Sequence, residues 1–159
     1  MEESLNQIYN KIANTLNETI PEQWDKVLLY GEINEDMQTA FFNYYPQGSN
    51  ESVYGHDITE LFEITEDKFN NQWDKIVANF EELWNEFKNN GQEVWTNLTF
   101  ILENTGKFKI DYDYTDLLEA SPSEGHLIWD YKYLGIMPID EDDKLIVEEY
   151  IKKNHDKVI

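Results

Sequence analysis

The chain is predicted to be α+β: an antiparallel sheet of about five strands with four helices packed on it, in the order α-β-β-(β)-α-β-β-α-α. Three observations lead there. Two stripes of apolar residues with a helical period, at 2–18 and 66–90, are each followed by segments that alternate with a period of two. The clearest of these form a hairpin about Asn104-Thr105-Gly106. A capping sequence, Ser121-Pro122-Ser123-Glu124, then opens a helical C-terminal part. No repeat or low-complexity linker divides the 159 residues, so a single domain, 1–159, is expected.

In the first helix Leu5, Ile8, Tyr9, Ile12, Ala13 and Leu16 share one face, and Ile20-Pro21 ends it, because the residue before proline leaves the α region. Trp24–Ile33 reads as a strand with Val27, Leu29 and Ile33 on one face and Leu28 and Tyr30 on the other. After a turn at Asn34-Glu35-Asp36, Met37–Tyr45 is a second, aromatic strand. Ser52–Gly55 fits a short third strand. The long helix places Phe69, Trp73, Ile76, Phe80, Leu83 and Phe87 at spacings of four and three, with Thr65 as its cap and Asn90-Gly91 as its stop. That spacing suits a core helix, and also a coiled-coil seam, but fewer than four heptads are present. Val94–Glu103 and Lys107–Tyr114 form the hairpin. Phe108, Ile110, Tyr112 and Tyr114 point one way, and Lys107, Lys109, Asp111 and Asp113 point to a wet face. A helix runs from Ser121 to Leu134 and is stopped by Gly135. The last spans about 141–154, with Ile146, Val147, Tyr150 and Ile151 inward.

Charge narrows the function. Thirty-three acids face twelve lysines and no arginine, a net charge of −21. Such a chain repels nucleic acid and anionic lipid and attracts basic partners. Solubility alone also explains acidity, but a surface tuned only for that mixes the signs. Here nine acids run from Val27 to Asp67, and six from Ile110 to Tyr131, without a lysine. Without arginine the usual bidentate phosphate clamp is missing. No cysteine is present, so disulfides and thiolate metal sites are excluded. No apolar run is long enough to span a bilayer, and Met1-Glu2-Glu3-Ser4 does not open a signal peptide, so a cytoplasmic protein without a membrane role is expected.

Catalytic patterns fail one by one. The seven glycines build no phosphate loop, no Gly-x-Ser-x-Gly elbow occurs, and His56, His126 and His155 have no metal-ligand spacing. Asp111-x-Asp113 with Asp116 resembles the start of a calcium loop, but the sixth and twelfth positions hold Asp116 and Pro122 instead of glycine and glutamate. Asp140-Glu141-Asp142-Asp143 stands where a helix begins, which capping and the helix dipole already explain. No catalytic residue, metal ligand or cofactor site is expected. The acids Asp111, Asp113 and Asp116, and then Asp140, Glu141, Asp142 and Asp143, are the candidates for contact with a basic partner. Exposed tryptophans would anchor it.

Five segments, in order, resemble the YezG/EsaG-type immunity protein family: 20–27 (IPEQWDKV), 54–58 (YGHDI), 95–100 (WTNLTF), 106–114 (GKFKIDYDY), and 123–124 with 128–138 (SE, IWDYKYLGIMP). They cover nearly the whole chain. Gly125-His126 departs from the family pattern, in which a charged residue follows the glutamate. The resemblance implies one immunity domain that binds and neutralises the nuclease domain of a type VII-secreted polymorphic toxin in Gram-positive bacteria. It implies no enzymatic activity, and the chain is expected to be a monomer or weak homodimer. Two other functions fit the residues: an acidic nucleic-acid mimic acting on a DNA-binding protein, and an enzyme with metal held by Asp111, Asp113 and Asp116.

Overall fold

The long helix of the sequence reading, α3 (Glu66–Asn89), organises the fold. Thr65 caps it, its hydroxyl oxygen accepting from the Lys68 amide at 3.2 Å. Its stripe of Phe69, Ile76, Phe80, Leu83 and Phe87 is buried. The seam is therefore spent inside the chain, against α1 (Glu2–Thr19) and the sheet, and not on a coiled coil.

The computed structural model describes residues 2–115 and 122–158. The chain divides into two compact units, Met1–Thr115 and Asp116–Ile159. In the first, β1 (Trp24–Ile33), β2 (Gln38–Pro46), β3 (Val53–Tyr54), β4 (Asn97–Glu103) and β5 (Phe108–Asp113) form one antiparallel sheet in the order β3-β2-β1-β4-β5. The fold class and strand count are as expected. A fifth helix, α2 (Ile58–Leu61), follows a 3₁₀ turn over Gly55–Asp57. It was not expected because four residues carry barely one helical turn of pattern.

One sheet face meets α1 and α3. Val27, Leu29, Phe42, Tyr44, Leu98, Phe100 and Leu102 interdigitate there with Ile8, Ile12 and Leu16 of α1 and the α3 stripe. Two hydroxyls of α1, Thr15 and Thr19, are buried as well. Each donates to the carbonyl four residues back, Lys11 at 2.8 Å and Thr15 at 2.6 Å, so neither is left unsatisfied. Tyr9 of α1 meets Tyr112 of β5, oxygen to oxygen, at 2.6 Å.

Two glycines set how closely the layers approach. A Cβ on Gly31 of β1 would stand 2.7 Å from the Phe80 ring, and one on Gly55 would stand 2.5 Å from the Phe42 ring. β4 starts at Asn97 and not at Val94, because Trp95 and Thr96 leave the β5 ladder, although the Thr96 carbonyl still accepts the Ile33 amide of β1 at 3.2 Å. The Trp95 carbonyl accepts the Trp84 indole N–H at 3.2 Å, and the Thr96 amide donates to Asp113, one residue out of ladder register.

The second unit contains α4 (Pro122–Trp129), which continues as a π-helical turn over Asp130–Leu134, and α5 (Glu141–Val158). Gly135, at φ 70°, ends the π turn as expected. The proposed cap at Ser121 lies outside the described residues. Trp129 and Val147 are buried, and α4 packs on α5.

Phe80 is 3% exposed, over Gly31 of β1 and edge-on to Trp95, so Phe80→Ala should cost about 3–5 kcal/mol in urea unfolding. Gly31→Ala should cost about 1–3 kcal/mol by overpacking the same contact. Trp73 is only half-buried, and its alanine variant should lose less than Phe80→Ala. Equal losses for Phe80 and Trp73 would contradict this packing.

Candidate partner-binding surface

The expected acidic edge on β5 carries less charge than its aspartates suggest. Lys107, Lys109, Asp111 and Asp113 alternate onto one face of the hairpin, so that stretch is locally neutral. The Lys109 ammonium stands 3.5 Å from Asp111 Oδ1. Asp111 is half-buried and not fully wet as expected, while Asp113 is exposed. Asp113 Oδ1 accepts from the Thr115 amide at 2.9 Å and its hydroxyl at 2.6 Å. Partial burial would raise the Asp113 pKa, but donors on Thr115, the Asn97 side chain and the Tyr114 amide outweigh it and lower the value. Asp116 lies outside the described residues.

Register carries this face across the sheet. Glu32, Asn97 and Asp113 form one row, and Tyr30, Thr99 and Asp111 the next. The Tyr30 hydroxyl donates to Glu32 Oε1 at 2.5 Å, and its ring stacks on Phe41 at 4.9 Å. Burial, that hydrogen bond and the charges of Glu32 and Asp113 all raise the phenol's pKa. The carboxylates are thus tied into local hydrogen bonds. Among the described residues no group of three or more His, Cys, Asp or Glu side chains is disposed to hold a metal ion.

The second acidic candidate is built differently. Asp140 caps α5: its Oδ2 accepts the Asp143 amide at 3.2 Å, and its carbonyl accepts the Lys144 amide at 2.9 Å. That is the structural role the sequence reading assigns it. Glu141 and Asp142 are exposed beside it, and Asp143 is partly covered. Three large apolar side chains share this part of the second unit: Ile139 is 100% exposed, Leu145 57% and Ile136 46%. Glu148 and Glu149 follow Leu145 at helical spacing and are also exposed. Leu145 was not among the expected inward residues, since it falls beside the stripe of Ile146, Val147, Tyr150 and Ile151. Its exposure was legible to that extent. That of Ile139, in the connection before the helix, had no sequence signal.

A third feature surrounds His56. Its imidazole stacks on Tyr54 at 5.3 Å and meets the edges of Phe69 at 5.4 Å and Trp73 at 4.9 Å. Gly55 admits this turn by leaving room for Phe42. Burial lowers the imidazole's pKa, against the raising effect of Asp57. No nucleophile or general base is paired with it in the described geometry, and ring packing accounts for it. A cleft of about 160 Å³ between Thr19 and Gln72 is smaller than the roughly 300–1,000 Å³ of a typical small-molecule site.

This α+β fold leaves Ile136, Ile139 and Leu145 exposed in the same part of the chain as several carboxylates, and it holds His56 by ring packing. The chain belongs to the YezG-like immunity protein family, whose model matches residues 5–148. It is 40% identical over 156 residues to the immunity protein YezG of Bacillus spizizenii, covering 97% of both chains. To YezG of Bacillus subtilis it is 39% identical over 150 residues, 92% of this chain and 99% of that one. To the type VII secretion system protein EsaG of Staphylococcus aureus it is 32% identical over 157 residues, 96% of each. Among the described residues no helix is long and apolar enough to cross a membrane.

The His56 packing has a consequence in pH. Its pKa is lowered in the fold, so below the ordinary 6.5 the unfolded chain takes up a proton first. Its contribution to stability is therefore intact above that value and is lost as pH falls through the folded-state pKa. His56→Gln should flatten part of the decline in urea midpoint as pH falls below about 6.5. An unchanged slope would contradict the packing role.

Proposed function

We propose that this chain is the immunity partner of a nuclease toxin exported by a type VII secretion system, and that it acts in the cytoplasm by occupancy and not by turnover. The observation that carries the reading is the exposed surface of α5 and the loop before it. There Ile139 and Leu145 project among Glu141, Asp142, Glu148 and Glu149, in a chain of the immunity family with a net charge of −21. A nuclease presents a basic groove to phosphate, and an acidic surface is drawn to it. The secretion route is supported by the likeness to the staphylococcal type VII secretion system protein EsaG. The two units act as one immunity domain, a reading supported by the family match running through both from residue 5 to 148.

Within this reading the roles divide. Exposed carboxylates speed encounter, and desolvated apolar anchors slow release. Glu141 and Asp142 carry more of the steering than Asp111 and Asp113, which share their face with two lysines. Asp140 and Asp143 contribute mainly by starting the helix. Asp116 belongs to the proposed surface on sequence grounds.

The test mixes the protein with the C-terminal domain of the toxin encoded beside it. The expected result is a one-to-one complex on gel filtration and loss of that domain's DNA degradation. A complex with a domain that degrades no nucleic acid would overturn the nuclease assignment, and no complex would overturn the immunity assignment. Glu141→Lys with Asp142→Lys should lower the association rate about tenfold at low salt, and the difference should shrink near 0.15 M salt, where the Debye length is about 8 Å. Leu145→Ala should raise the dissociation rate about tenfold and leave association nearly unchanged. Wild-type rates in all variants would remove α5 from the interface.

A further inference from the structure

Charged and apolar residues alternate along β5 and the residue before it. Among the described residues β4 is the one strand paired with β5, which ends the sheet. It has no proline, and its register with β4 runs unbroken from Phe108 to Asp113. Natural edge strands are usually blunted by charge, proline or a bulge. The charges are present here, but their order cancels the deterrent.

Backbone alternation determines which groups face outward. The Glu103 amide donates to the Lys107 carbonyl at 2.8 Å. Hydrogen-bonded pairs recur every second residue in an antiparallel ladder, so Lys109, Asp111 and Asp113 also turn their amides and carbonyls toward β4. Those of Phe108, Ile110 and Tyr112 then point away from the sheet. A second copy of the strand, running antiparallel, can bond only to these.

Three registers centred on the strand satisfy that condition. A two-fold through Asp111 sets Asp111 against itself, and one through Lys109 sets Lys109 against itself. A two-fold through Ile110 sets Lys107 opposite Asp113, Lys109 opposite Asp111 and Phe108 opposite Tyr112, with Ile110 opposite Ile110. Every charged pair is then of opposite sign, and every pair on the other face is apolar or aromatic, the combinations that stabilise neighbouring strands. A parallel arrangement in register places like charges together. We propose that the β5 edge binds the β5 edge of a second copy about a two-fold at Ile110, joining two five-stranded sheets into one of ten.

The net charge of −21 on each copy opposes this union over long distances, while the cross-strand pairs act well within one Debye length. Self-association should therefore be retained or strengthened between low salt and about 0.15 M, the reverse of what is expected for the toxin complex. That difference separates a failure of this proposal from a failure of the toxin assignment.

Sedimentation velocity of the full chain tests it. Wild-type protein should convert from a 19.0 kDa species to one of twice that mass as concentration rises toward about 0.5 mM. Lys107→Asp with Lys109→Asp, at two exposed positions, should weaken self-association by about tenfold or more, as should Asp111→Lys with Asp113→Lys. An equimolar mixture of the two double variants should associate again, and so should the chain with all four charges exchanged. Circular dichroism melts establish that each variant is folded. If the variant with Asp111→Lys and Asp113→Lys unfolds, the variant with Lys107→Asp and Lys109→Asp carries the test, and its retention of wild-type association would overturn the proposal. A wild-type chain that stays monomeric throughout would overturn the proposal, including one whose β5 amides gain exchange protection only when the toxin domain is added. So would a dimer indifferent to the charge exchanges.

Discussion

The contact of the Phe80 ring with Gly31 sets the distance between α3 and the sheet, and the rest of the first unit follows from that distance. With a side chain at position 31 the helix would have to stand off, and the gap would open along the stripe from Phe69 to Phe87. α1 packs against α3, so its buried residues Ile8, Ile12 and Leu16 would lose the same ground. The Tyr9 hydroxyl on α1 would also lose Tyr112, which ties the helical layer to β5. A second glycine at 55 does the same work at the other sheet edge, seating the His56 turn on Phe42. Close packing of this kind tolerates little added volume.

The electrostatics run against compactness and are handled locally. A net charge of −21 favours expansion, yet the sheet holds carboxylates at Glu32, Asp111 and Asp113. Each of these has a partner close by: the Tyr30 hydroxyl, the Lys109 ammonium, and the Thr115 amide and hydroxyl respectively. Carboxylates satisfied in this way structure the protein more than they advertise it. Those of α5 are different. Glu141, Asp142, Glu148 and Glu149 face solvent beside Leu145, with Lys144 among them, and α5 is the surface we propose for an external partner.

Period and turn chemistry made most of the first unit readable. The stripes of α1 and α3, the faces of β1 and β2 and the Thr65 cap, and in the second unit the Gly135 stop, all follow from local rules that tertiary packing did not overrule. What escaped was short or set at a distance. Four residues of α2 leave no periodic trace, and the late start of β4 depends on Trp84, eleven residues upstream of Trp95. Trp73 has the spacing of a core residue but ends half-buried beside His56. For the candidate surface, the capping role of Asp140 was legible, and so was the alternation that places lysines beside Asp111 and Asp113. That Ile139 would be left wholly in solvent was not, because exposure is decided by what the rest of the chain fails to cover.

An inhibitor that works by occupancy obeys a different arithmetic from one that modifies its target. We propose that this protein neutralises its partner by holding it, with carboxylates and apolar side chains and no reacting group. The direct measurement is a titration of the partner toxin domain's nuclease activity with this protein at concentrations far above their dissociation constant. The account predicts that activity falls linearly to zero at one equivalent and returns in full when the complex is separated under denaturing conditions and the toxin refolded. Complete loss of activity at a small fraction of an equivalent, or a toxin that stays inactive after separation, would contradict it.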